Sequence, residues 1–74
     1  MNKYILSYSE YMNAGPYMAS MEAKDLRGLL LDLLGYDDDG ESLKFLKKEF
    51  DSQNGDGMPW IMAFDVNANE KVLG

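Results

Sequence analysis

The chain has 74 residues, with seven Lys plus Arg against thirteen Asp plus Glu for a formal charge of −6, and it contains neither cysteine nor histidine. That length suits one domain, residues 1–74, near the lower limit for a single hydrophobic core, because so short a chain buries only about 60% of its unfolded surface. Disulfides, thiolate chemistry, tetrahedral zinc and imidazole catalysis are excluded, and the acidic balance argues against a general phosphate-binding surface.

The opening Met1-Asn2-Lys3-Tyr4-Ile5-Leu6 places a basic residue before apolar ones, but Ser7, Ser9 and Glu10 end the run well short of a secretory core. No stretch approaches the roughly 20 apolar residues that span a bilayer. The expectation is a cytoplasmic chain that starts at its own Met1 and has no membrane partner.

From Lys3 to Met12 the residues are strand formers, and alternation puts Tyr4, Leu6 and Tyr8 on one face against Ser7 and Ser9 on the other. Asn13-Ala14-Gly15-Pro16 carries turn chemistry, and Tyr17, Ala19, Met21 and Ala23 then alternate against Met18, Ser20 and Glu22. Together the two segments predict an antiparallel hairpin. Asp25 can cap a helix whose buried stripe is Leu26, Leu29, Leu30, Leu33 and Leu34, and Gly35 is placed to end it in a left-handed conformation.

Asp37-Asp38-Asp39-Gly40-Glu41 gathers negative charge before a second helix, Ser42 to about Ser52, where carboxylates near the N-terminus suit the helix dipole. Its stripe is Leu43, Leu46 and Phe50. The polar run from Asp51 to Gly57 predicts an exposed, mobile loop. In the next segment Trp60, Met62, Phe64 and Val66 alternate with Ile61, Ala63 and Asp65, and apolar residues on both faces predict a strand more buried than the others. Asn67-Ala68-Asn69 is a candidate hairpin turn before a last strand through Lys71, Val72 and Leu73. The order ββααββ predicts a small α+β two-layer sandwich, an antiparallel sheet with both helices on one face. Its expected core is Leu6, Leu26, Leu29, Leu30, Leu33, Leu46, Phe50, Met62 and Phe64.

No catalytic, metal or cofactor site is expected. Asp65, Asn67 and Asn69 have the alternate spacing of a calcium loop, but Glu70 stands where its glycine is required, and no twelfth ligand follows. The serines have no histidine base, and the carboxylates lie in loops where solvent keeps them ionised. Tyr4, Tyr8, Tyr11, Tyr17, Trp60 and Phe64 could stack on single-stranded nucleic acid, but such platforms come with basic grooves, so direct nucleic-acid binding is not expected. Leu31 and Phe45 fall off their helical stripes; they are either buried between packed helices or left for a partner.

These features predict a protein-binding module. Asp37, Asp38, Asp39, Glu41, Asp51 and Asp56 would engage the basic surface of a nucleic-acid-handling protein, with Phe45 as an apolar anchor and the outcome a stoichiometric inhibition or modulation. Small size, acidity and missing catalytic residues are also the combination shown by phage or mobile-element proteins that block host defence, such as anti-CRISPR proteins. The alternative is a cytoplasmic adaptor or self-associating subunit, paired through a sheet edge or through Leu31 and Phe45.

Overall fold

The computed structural model describes residues 1–10 and 13–74, so Tyr11 and Met12 lie outside the described residues. The elements are β1 (Asn2–Glu10), β2 (Asn13–Ala23), α1 (Leu26–Leu34), α2 (Leu43–Gln53), β3 (Trp60–Asp65) and β4 (Glu70–Leu73). Among the described residues the four strands pair antiparallel, in the spatial order β2-β1-β3-β4. The fold is the expected small α+β arrangement.

Alternation sets the inner face of the sheet. Tyr4, Leu6, Ala23, Ile61, Ala63 and Leu73 are buried in one cluster with Leu29, Leu30, Leu31, Leu46 and Phe50 of the helices. Leu26 and Leu33 are half-buried at its margin. Met62 and Phe64, expected in the core, are exposed on the opposite face, and β3 is open on one side instead of covered on both. The reason is the two-residue period of a strand: with Ile61 and Ala63 turned inward, Met62 and Phe64 must turn outward. Asp65 is tolerated on the inner side because its Oδ1 accepts the backbone amides of Asn67 and Ala68 at 2.9 and 3.0 Å. That turn occupies the oxygen that the calcium spacing would have offered.

The first hairpin also differs from expectation. Asn13 pairs with Glu10, and Asn13–Pro16 belong to β2 instead of a turn. Pro16 is accommodated because β2 is an edge strand, where one face of the backbone has no ladder partner.

Both helix starts are capped as the residue types dictate. Asp25 accepts from the amide of Gly28 at 2.8 Å, and Ser42 accepts from that of Phe45 at 3.1 Å. Gly35 ends α1 at φ 72°, the left-handed position. Leu31 is buried although it lies off the leucine stripe, because α1 packs against α2 as well as against the sheet.

The polar stretch after α2 is more ordered than its composition suggests. Helix α2 continues through Gln53, and the Asn54 side chain accepts the amide of Ile61 at 2.7 Å while donating to the Ile61 carbonyl at 3.2 Å. β4 pairs β3 only at Ala63, Phe64 and Asp65, so the Asn54 amide stands in for the missing strand beside Ile61. Gly55, at φ 80°, lies beneath the Trp60 indole where no Cβ could fit. No helix among the described residues is long and apolar enough to cross a membrane.

Candidate functional site

The acidic connection between the helices is held by its own hydrogen bonds. Arg27 of α1 forms a bidentate pair with Asp38, Nη1 to Oδ2 at 3.0 Å and Nη2 to Oδ1, and its Nε donates to the Glu41 carbonyl at 2.6 Å. The amide of Gly40 donates to Asp38 Oδ1 at 3.0 Å, and that of Asp39 donates to Glu41 Oε1 at 2.9 Å. The guanidinium first, and then the Gly40 amide, lower the pKa of Asp38 to about 2. Tyr36 joins the connection to α2, its hydroxyl donating to Glu49 Oε1 at 3.0 Å and accepting from Gln53 Nε2 at 2.9 Å. Asp37 and Asp39 are left exposed, with no side-chain hydrogen bond among the described residues, on a backbone fixed by their neighbours.

The remaining residues of the expected acidic site are spread along α2. Phe45, 45% exposed, sits in the first turn of α2, three residues past its Ser42 cap and so at the end of the helix that follows the Asp37–Glu41 connection. Asp51 lies in the last turns of the helix and Asp56 in the turn beyond it, both exposed. Lys44, Lys47 and Lys48 are exposed on the length of helix between them. The structure therefore brings together Asp37, Asp38, Asp39, Glu41 and Phe45, and leaves Asp51 and Asp56 as a separate pair. Between Asp25 and Asp56 the chain holds nine carboxylates against four cations, which is most of the net charge of −6.

A second surface lies on the outer face of the sheet, and here bulk misleads the sequence reading. The cross-strand register arranges this face in rows: Glu22, Lys3 and Val66; Ser20, Ile5, Phe64 and Lys71; Met18, Ser7 and Met62; then Ser9 and Trp60. Trp60 is 59%, Met18 66% and Met62 49% exposed, and Ile5, Phe64 and Val66 are also open. Two hollows mark the face. One, of about 200 Å³, is bounded by Ile5, Ser7, Met18, Met62, Phe64 and Lys71; the other, of about 310 Å³, is bounded by Ser7, Ser9, Asn54, Trp60, Met62 and Gly74. Among the described residues, neither is lined by an Asp or Glu side chain or by a pair of titratable side chains that could divide acid and base roles.

No protein-family model, curated protein or solved structure matches this chain.

Proposed function

We propose that this chain is a protein-binding module that acts by stoichiometric occupancy, as an inhibitor or modulator that covers a basic surface on a nucleic-acid-handling protein. The observation that carries this reading is the segregation of charge. Carboxylates concentrate in the helices and their connection, while among the described side chains the outer face of the sheet has Glu22 alone beside Lys3 and Lys71. A one-sided field of this kind orients a basic partner during encounter and raises the association rate more than the final affinity.

The internal bonds of the connection favour the same reading. Asp37 and Asp39 are presented on a backbone already fixed by Arg27, Asp38 and Glu41, so little ordering remains to be done on binding. Phe45, exposed next to them, supplies apolar contact that holds a partner once docked. Small proteins that block host defence systems, such as anti-CRISPR proteins, are the nearest functional class to this proposal.

Binding kinetics against a basic protein captured on the immobilised chain test the reading. Asp38 should be left in place, since replacing it would strand Arg27 and alter the fold of the connection. Asp37→Lys with Asp39→Lys is expected to slow association several-fold and to flatten its salt dependence, and Phe45→Ala to speed dissociation chiefly. Association that is indifferent to the double reversal would overturn the proposal.

A further inference from the structure

We infer that the outer face of the sheet is a self-complementary interface on which a second copy of this chain packs, sheet against sheet. The surface is distinct from the acidic connection, and the inference stands independently of the basic-partner reading.

Charge narrows the occupant first. A basic protein has little reason to dock on this face, because Lys3 and Lys71 flank the apolar residues and the only carboxylate among the outward side chains described, Glu22, sits opposite Lys3 on the neighbouring strand. For a second copy the reverse holds. Two chains of charge −6 repel wherever their helical layers approach, and the outer face is where they can meet with those layers turned away from each other.

Shape then identifies the copy more closely. Outward side chains on β3 are large, namely Trp60, Met62 and Phe64, with Val66 just past its end. Their same-row neighbours on the central strand β1 are Ser9, Ser7, Ile5 and Lys3. A two-fold axis lying parallel to the strands, above the line between β1 and β3, places the β3 of each copy over the β1 of the other and keeps every row in step. Met62 of the second copy then comes over Ser7 and its Trp60 over Ser9, which are the serines that floor the two hollows. The same operation brings Lys71 of each copy over Ser20 of the other, two positions along β2 from Glu22, within reach of a lysine side chain. In the Ser7–Met62 and Ser9–Trp60 rows large residues lie over small ones, the condition for two sheet faces to interdigitate at about 10 Å, while Phe64 of each copy meets Ile5 of the other in apolar contact. One rotation satisfies it for both copies at once, as a two-fold interface requires.

Area sets the strength. Four strands about 4.8 Å apart, over about 23 Å of strand length, give a face of roughly 400 Å². That is within the range of large apolar patches on monomers, but below the roughly 800 Å² per partner of a standard stable interface. The dimer should therefore be reversible, with a dissociation constant on the order of 1–100 µM.

Sedimentation equilibrium of the full chain over concentrations spanning that range tests the inference. The mass is expected to rise from one chain of 8.4 kDa toward two, and the dimer to tighten as salt is added, because salt screens the repulsion between two acidic chains. Met62→Lys removes a knob and Ser7→Tyr fills a hollow; each should weaken the dimer at least about tenfold, with circular dichroism confirming that the variant is folded. Phe45→Lys, on the other layer, should leave it unchanged. A single-chain mass at every concentration would overturn the inference, as would a dimer that withstands both Met62→Lys and Ser7→Tyr or one that Phe45→Lys alone disrupts.

Discussion

The acidic connection and the outer sheet face are built on opposite terms. In the connection, charged and polar groups are bonded to one another, Arg27 to Asp38, the Asp39 amide to Glu41 and the Gly40 amide to Asp38, so that what remains toward solvent is net negative charge on a fixed frame. On the sheet, Ile5, Met18, Trp60, Met62 and Phe64 are exposed, with no layer over them among the described residues. The difference teaches how a chain this small can carry two surfaces: under the two proposals, one would act through its field before contact is made, the other through apolar area once contact exists. The first should govern association rates and weaken with salt, whereas the second should govern a short-range equilibrium.

The largest expected effect strikes the layer that both surfaces share. Leu30 is fully buried between the helices and the sheet. Leu30→Ala should cost roughly 2–5 kcal/mol, a large part of the stability of a domain this size, and urea denaturation will measure it. An unchanged midpoint would mean that the core does not support the two surfaces as described.

A smaller effect separates them. Asn54→Ala removes both side-chain bonds to Ile61 and leaves that backbone without a partner beside the end of β4, at a cost of about 1–3 kcal/mol. Trp60, the single tryptophan, lies at the same hollow, so its fluorescence should shift in the folded state. The acidic connection should retain its binding behaviour. If the tryptophan signal is unmoved, Asn54 does not organise this part of the sheet.

Smaller still are the effects of the surface variants on the fold. Asp37→Lys with Asp39→Lys, Phe45→Ala and Met62→Lys should each shift folding stability by less than about 0.5–1 kcal/mol, because each side chain is exposed. Thermal unfolding checks this, and a large loss would show that a residue assigned to binding holds the structure instead.

The mildest prediction concerns acid. Asp38 has a folded pKa of about 2, held down chiefly by Arg27, below its ordinary value of 3.8. A depressed carboxylate contributes stability that is present above its unfolded pKa and lost as pH falls through the folded one, so its share should disappear between about pH 4 and pH 2. Solvent exposure keeps that share small. In Asp38→Asn the decline in stability over this interval should be shallower than in the parent, and identical profiles would show that the pair contributes nothing.

Much of the fold was legible because its signals are local. Asp25 as a cap, Gly35 as a left-handed stop and the Leu29, Leu30, Leu46, Phe50 stripes follow from residue type and helical spacing, whereas the capping role of Ser42 is seen only in the structure. What failed was the choice of face on β3. Both sets of alternating residues there are apolar, and the bulkier set, Trp60, Met62 and Phe64, is the one left outside. Side-chain size cannot settle parity; the tether of Asn54 to Ile61 and the turn made by Asp65 do so through contacts that no period in the sequence announces. The candidate site was legible in part. The carboxylate cluster and the exposed Phe45 are visible as composition and phase, but the capture of Asp38 by Arg27 joins residues eleven apart through a bend in the chain. Leu31 shows the same limit, since only the packing of α1 on α2 decides that it is buried.

The central claim, that two surfaces of opposite character act independently, is tested most directly by the sign of their salt dependence. For the wild-type chain, the association rate with a captured basic protein and the self-association constant should be measured from low salt to about 0.5 M, across which the Debye length falls from well above 10 Å to about 4 Å. Partner association is predicted to slow with salt while dimerisation strengthens. If both weaken together, or if neither responds, the separation of an acidic steering surface from an apolar sheet interface is wrong.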